Sequence, residues 1–122
     1  MAGKRILVVE DDPRQLRWIT SHLSRLLHEK PYLFEAADGR QGIALALHEK
    51  PDLIVLDDSL PALSGATVCS ELKHDLETAA IKVILLLGRD ANTRGWLSAD
   101  ACLNKPYEAD ELVWTVERLL KQ

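Results

Sequence analysis

Apolar residues in this chain fall into short unbroken runs, each closed by acidic or turn-forming residues, and between the runs they recur at every third or fourth position. Runs of this length rich in Val, Ile and Leu fit strands buried on both faces, and the spacing between them fits amphipathic helices. The first run, Arg5-Ile6-Leu7-Val8-Val9, empties into Glu10-Asp11-Asp12. Asp12 before Pro13 has the form of an N-cap with Pro at the first helical position. Leu16, Ile19, Leu23, Leu26 and Leu27 then predict a helix from residue 13 to about residue 28. Lys30-Pro31 breaks that helix, residues 32–36 form a second strand, and Asp38-Gly39 opens a helix carrying Ile43, Leu45, Ala46 and Leu47.

Pro51 stops the second helix ahead of the most apolar run, Leu53-Ile54-Val55-Leu56, which ends in Asp57. A loop over residues 58–65 leads to a helix expected to place Val68, Leu72 and Leu76 on one side. Residues 82–87 read as a fourth strand ended by Gly88, and Asn92 as the cap of a short helix through Trp96 and Leu97. Residues 101–103 make a brief fifth strand. Residues 110–121 form a last helix with Leu112, Val113, Val116, Leu119 and Leu120 inward. Five strands alternating with five helices predict an α/β domain with a parallel sheet covered on both sides.

Composition narrows the function classes. At 122 residues, 47% hydrophobic and 28% charged, the chain fits one domain spanning residues 1–122. A formal net charge of −4 leaves no basic footprint, which argues against direct nucleic-acid binding. No apolar run approaches a membrane span, and Met1-Ala2-Gly3-Lys4-Arg5 leads straight into a strand and not into a signal-peptide apolar region, so the expected location is the cytoplasm. Cys69 and Cys102 have neither metal-ligand spacing nor a disulfide framework, and both are expected to be buried small hydrophobes. The four histidines are expected on the surface. Trp18 should lie beside the apolar stripe of the first helix. Trp96 and Trp114 are expected in core or half-buried positions, with a partner-binding patch as the alternative.

The chemistry follows from where strands end. In a parallel sheet all carboxyl ends lie on one edge, where open α/β folds place their ligand sites, so Glu10, Asp11, Asp12, Asp57, Asp58, Gly88 and Lys105 should gather there. Clustered carboxylates without Cys or His suit a hard cation such as Mg²⁺, which takes one or two carboxylates together with phosphate oxygens. A free Asp57 oxygen is then a candidate nucleophile, and Lys105 supplies positive charge. Asp12 and Asp58 read as capping or surface residues, and Pro61 and Gly65 as loop geometry.

Three separated motifs, Val-Val-Glu-Asp-Asp at 8–12, Leu-Asp-Asp-Ser-Leu-Pro with Gly65 at 56–65, and Lys-Pro-Tyr at 105–107, make the chain resemble the receiver domain of bacterial two-component response regulators. The resemblance implies a flavodoxin-like three-layer sandwich of (βα)5 type with strand order 2-1-3-4-5. It implies Asp57 as phosphoacceptor, Asp11 and Glu10 as Mg²⁺ ligands with Asp57 and the Ser59 backbone carbonyl, and Lys105 on the phosphoryl group. The partners it implies are a sensor histidine kinase or phosphotransfer protein as donor and a downstream effector domain or protein. The chain departs from the family at the two switch positions. Leu87 stands where a Thr or Ser hydroxyl is usual, and Cys102 where an aromatic is usual, so neither can make the customary hydrogen bond.

The resulting expectation is a signalling phosphoacceptor and not a turnover enzyme. A receiver-like interaction module with little or no phosphorylation-dependent switching is the alternative that Leu87 and Cys102 motivate. A Mg²⁺-dependent phosphatase with an Asp nucleophile ranks last, because Ser59 occupies the position two beyond Asp57 where its second carboxylate would stand.

Overall fold

A computed structural model describes residues 3–88 and 98–122, and over these the apolar runs become strands β1 (Arg5–Val9), β2 (Tyr32–Ala36), β3 (Leu53–Asp57), β4 (Lys82–Leu87) and β5 (Ala101–Asn104). The helices are α1 (Pro13–Leu26), α2 (Gly39–Glu49), α3 (Gly65–His74) and α4 (Ala109–Leu120). The short helix expected around Asn92 to Leu97 falls outside the described residues. All strand pairs are parallel and the order is β2-β1-β3-β4-β5, with the most apolar strand in the middle. This is the expected flavodoxin-like arrangement. No helix among the described residues is long and apolar enough to cross a membrane.

The sheet separates two cores by simple alternation. Ile6, Val8, Leu53, Val55, Ile84 and Leu86 pack with Ile19 and Leu23 of α1 and with Leu112, Val116 and Leu119 of α4. Leu7, Val9, Ile54, Leu56, Val83 and Leu85 pack instead with Ala46 of α2 and with Val68, Cys69 and Leu72 of α3. Each described helix begins at a side-chain cap, of which Asp12 was expected. Asp12 accepts from the Arg14 N–H at 2.9 Å, Asp38 from Gln41 at 2.8 Å and Ser64 from Thr67 at 3.2 Å. Glu108 and Glu111 form a reciprocal capping box on α4.

Three expectations are corrected. Leu76 is 96% exposed, not part of a helical stripe, because α3 stops at His74 and Asp75 turns extended. The Asp75 side chain then accepts from the Glu77 N–H and its carbonyl from Ala79, while Thr78 turns inward and donates to the Leu72 carbonyl at 2.7 Å. A local turn closed by Asp75 outcompetes one more apolar contact. Trp114 is 64% exposed, not core, with the Arg118 guanidinium 5.2 Å from its ring centre. Cys102 is only half-buried, unlike Cys69, since β5 is an edge strand. Trp18 borders the α1 stripe as expected, and Trp96 lies outside the described residues.

The β3–α3 connection is the tightest part of the fold. Gly65 donates its N–H to the Asp58 carbonyl at 2.9 Å, and a Cβ added there would lie 2.3 Å from the Asp57 carbonyl oxygen and 2.7 Å from the Asp58 Cα. Those atoms are backbone and cannot swing aside. Ala62, at φ 66, holds a left-handed conformation in the same loop, next to a Leu63 N–H bond to the Pro61 carbonyl. Gly65→Ala is therefore expected to cost about 1–3 kcal/mol. A urea titration should show the midpoint falling at unchanged slope. Gly88→Ala, whose added carbon would meet no described residue beyond its chain neighbours nearer than 3.9 Å, should leave the midpoint in place.

Candidate functional site

The alternation that sends Ile6 and Val8 toward α1 and α4 continues to Glu10, and the one that sends Leu53 and Val55 there continues to Asp57. Two carboxyl groups from adjacent strands therefore emerge on the same side of the sheet at its carboxyl edge. Asp11 begins the next turn, and one carboxylate oxygen from each of Glu10, Asp11 and Asp57 lies within 4.8 Å of the others. Glu10 and Asp57 are each only 2% exposed, whereas Asp11 faces solvent.

Each buried oxygen but one has a partner. The Lys105 ammonium donates to Asp57 Oδ1, and the Ser59 N–H donates to Asp57 Oδ2 at 3.1 Å. The Asp12 N–H donates to Glu10 Oε2 at 3.1 Å. Glu10 Oε1 is buried without a hydrogen bond. Burial pushes the Glu10 carboxyl up to about 7; the neighbouring Asp57 charge adds to the rise, and the Asp12 N–H and Lys105 oppose it.

The strand ends also fix the frame around Asp57. The Leu86 carbonyl accepts from the Asp58 N–H at 3.0 Å, and the Leu87 carbonyl accepts from the Lys105 N–H at 2.8 Å, so β4 ties the acceptor loop to the lysine loop. Asp58 is buried, not on the surface, and its Oδ1 accepts from the Ala66 N–H at 3.0 Å in the first turn of α3. That is the capping alternative named for it. Asp12 caps α1 and stays exposed.

A divalent cation fits this donor set. Glu10 Oε1 is buried with no hydrogen bond to a described residue, the three carboxyl groups supply hard oxygen ligands, and the Ser59 carbonyl accepts no hydrogen bond from a described residue. The remaining expected residues flank the site. Leu87 is 4% exposed and packs with the α2–α3 core, and half-buried Cys102 packs against that core as well, so neither brings a hydroxyl or ring to Asp57. Tyr107, quoted in a motif but given no role, is part of the surroundings. Burial, together with the Glu10 and Asp57 charges, pushes its phenol up to about 12, and its ring stands edge-on to Trp18 at 5.6 Å. Its adjacency to Lys105-Pro106 was the available signal.

The comparisons with known proteins agree with this geometry. The response regulator receiver domain family matches residues 6–117. Protein PilH of Pseudomonas aeruginosa is 34% identical over 95% of this chain and 97% of its own length. The regulator RpaA of Synechocystis, named as a DNA-binding dual master transcriptional regulator, is 38% identical, but the chain spans about half of it, 49%. Among solved structures, the receiver domain of a sensor histidine kinase from Pseudomonas aeruginosa, with a magnesium ion coordinated in its active-site cleft, superposes with a TM-score of 0.88 at 26% identity over 99% of this chain and 100% of that one. A CheY-like receiver domain protein from Methanospirillum hungatei gives 0.88 at 26% identity, over 98% of this chain and 95% of that one. A family match across nearly the whole described fold, on a sheet edge that gathers the expected acidic residues and lysine, makes this chain a member of the receiver domain family of two-component response regulators.

Proposed function

We propose that this receiver is a working phosphoacceptor, in which Asp57 takes a phosphoryl group from a phosphohistidine on a sensor histidine kinase or phosphotransfer protein. The observation that carries the reading is the Asp57 carboxylate: almost wholly buried at a strand end, with one oxygen on Lys105 and the other on the Ser59 N–H. That arrangement holds the carboxylate oxygens in fixed positions at the sheet edge and offsets their charge. Asp57 attacks phosphorus in line while the phosphorus–nitrogen bond breaks and the imidazole leaves with the electron pair. Lys105 then moves its ammonium from the carboxylate to a phosphoryl oxygen.

Glu10, Asp11 and Asp57 with the Ser59 carbonyl would hold Mg²⁺, which receiver domains bind at an acidic site and which the Pseudomonas kinase receiver contains. When bound, the ion supplies charge neutralisation on the phosphoryl oxygens. On this reading the chain is a signalling acceptor whose own phosphorylation and dephosphorylation are its only chemistry, and an effector domain or protein reads the outcome. Leu87 and Cys102 favour a second reading, an interaction module that binds partners constitutively.

Incubation with Mg²⁺ and acetyl phosphate, followed by intact-mass measurement, separates the two. A phosphoacceptor gains the mass of one phosphoryl group and Asp57→Asn does not; no gain in the metal-loaded protein would favour the interaction module.

The raised Glu10 pKa gives a second test. In chelator, folding holds a proton on Glu10 up to about pH 7, whereas the unfolded chain releases it near the ordinary 4.5. The folded state binds more protons in that window, so apo stability should fall as pH rises from about 4.5 to 7, and Mg²⁺ affinity should rise over the same interval. Glu10→Gln should flatten this dependence, raise the apo melting temperature at pH 8 by on the order of 5 °C, and weaken Mg²⁺ binding in calorimetric titrations.

A further inference from the structure

The end of β4 lacks the hydroxyl that would meet a phosphoryl oxygen, yet a hydroxyl stands close by. Gly88 has no side chain, and a Cβ built on it would have one described neighbour within 4 Å beyond the adjoining residues, the Ser59 Oγ at 3.9 Å. Ser59 is exposed, and its hydroxyl makes no hydrogen bond to a described residue. Its main chain already touches the acceptor, since the Ser59 N–H donates to Asp57 Oδ2 at 3.1 Å. The same residue therefore holds the Asp57 carboxylate through its backbone and carries, near the end of β4, a hydroxyl that makes no hydrogen bond to a described residue.

A donor is needed beside Asp57, the residue that the Ser59 N–H already touches. A phosphoryl group on Asp57 carries three strongly accepting oxygens, and the described site offers one mobile cation, Lys105, together with the acidic cluster that suits a metal ion. Leu87, buried at 4% exposure in the α2–α3 core, has nothing to offer the remaining oxygen. We infer that the Ser59 hydroxyl takes over the missing role at the end of β4, donating a hydrogen bond to a phosphoryl oxygen as the group moves onto Asp57.

The inference rests on the phosphoacceptor reading above. In the step itself the Asp57 oxygen–phosphorus bond forms as the bond from phosphorus to the donor breaks, and the leaving group takes the electron pair. Ser59 keeps its proton throughout. Its contribution is a charge-assisted hydrogen bond that strengthens as negative charge collects on the phosphoryl oxygens.

The test is the rate of phosphorylation by acetyl phosphate with saturating Mg²⁺, followed by intact mass in the full chain, for Ser59→Ala, Ser59→Thr and Leu87→Thr and for the double variant Ser59→Ala/Leu87→Thr. Ser59→Ala should slow the reaction about tenfold or more, as loss of a hydrogen bond to a charged group does. Ser59→Thr, which keeps the hydroxyl, should stay close to wild type. Leu87→Thr should recover most of the loss in the Ser59→Ala background and add much less to the wild type, because the two hydroxyls serve one oxygen. Mg²⁺ affinity by calorimetry should be the same in Ser59→Ala as in wild type, which separates the hydroxyl from the Ser59 carbonyl. Equal rates for Ser59→Ala and wild type would overturn the inference and leave the acceptor reading standing, as would a drop explained by lost Mg²⁺ affinity. A wild-type chain that gains no phosphoryl mass would overturn both.

Discussion

One ion pair governs the carboxyl edge of this domain. Glu10 and Asp57 emerge from adjacent strands into a nearly dry space, and Asp11 stands at its mouth. Burying like charges this close is unfavourable unless protonation or a counter-charge offsets it. The Lys105 ammonium on Asp57 meets the demand in part. Glu10 shows what is left over: one oxygen has no hydrogen-bond partner, and its carboxyl holds a proton up to about pH 7. The carboxyl edge thus holds a cluster of hard oxygen donors whose negative charge Lys105 offsets only in part.

The fold delivers this arrangement with few devices. Parallel strands bring their carboxyl ends to one edge, and the two-residue alternation continues from the α1–α4 core straight into Glu10 and Asp57. β4 pins the neighbouring loops through the Leu86 and Leu87 carbonyls, and Gly65 lets the β3–α3 loop pass against the Asp57 backbone. The positions that make the sheet stable are therefore the positions that aim the chemistry. Leu87 shows the other side of that economy. Its carbonyl still orders Lys105 while its side chain serves the core, so the structural half of the position survives without the polar half.

What the sequence made legible depends on how local each cause is. Strand runs, the helix cap at Asp12, the Asp38-Gly39 helix start and the acidic turn after Val9 are set by neighbouring residues, and all read through to the fold. Leu76 did not, because helical spacing says nothing about Asp75 closing a turn two residues earlier than the apolar pattern ends. Trp114 and Cys102 escaped for a different reason: exposure beside an edge strand depends on what covers it, and that information lies in no local pattern. Of the two alternatives for Asp58, capping or surface, the structure shows the cap, and shows it buried. Tyr107 and the free Ser59 hydroxyl became visible only once the loops were placed side by side in space.

The most direct measurement is a crystal structure of the chain grown with Mg²⁺ and beryllofluoride, a stable stand-in for the phosphoryl group. The expected result is an ion against Glu10, Asp11 and Asp57, beryllium on an Asp57 oxygen, and Lys105 moved from the carboxylate to a fluorine. An acidic cluster without the ion, with Lys105 still on Asp57 and no fluoride beside it, would contradict it.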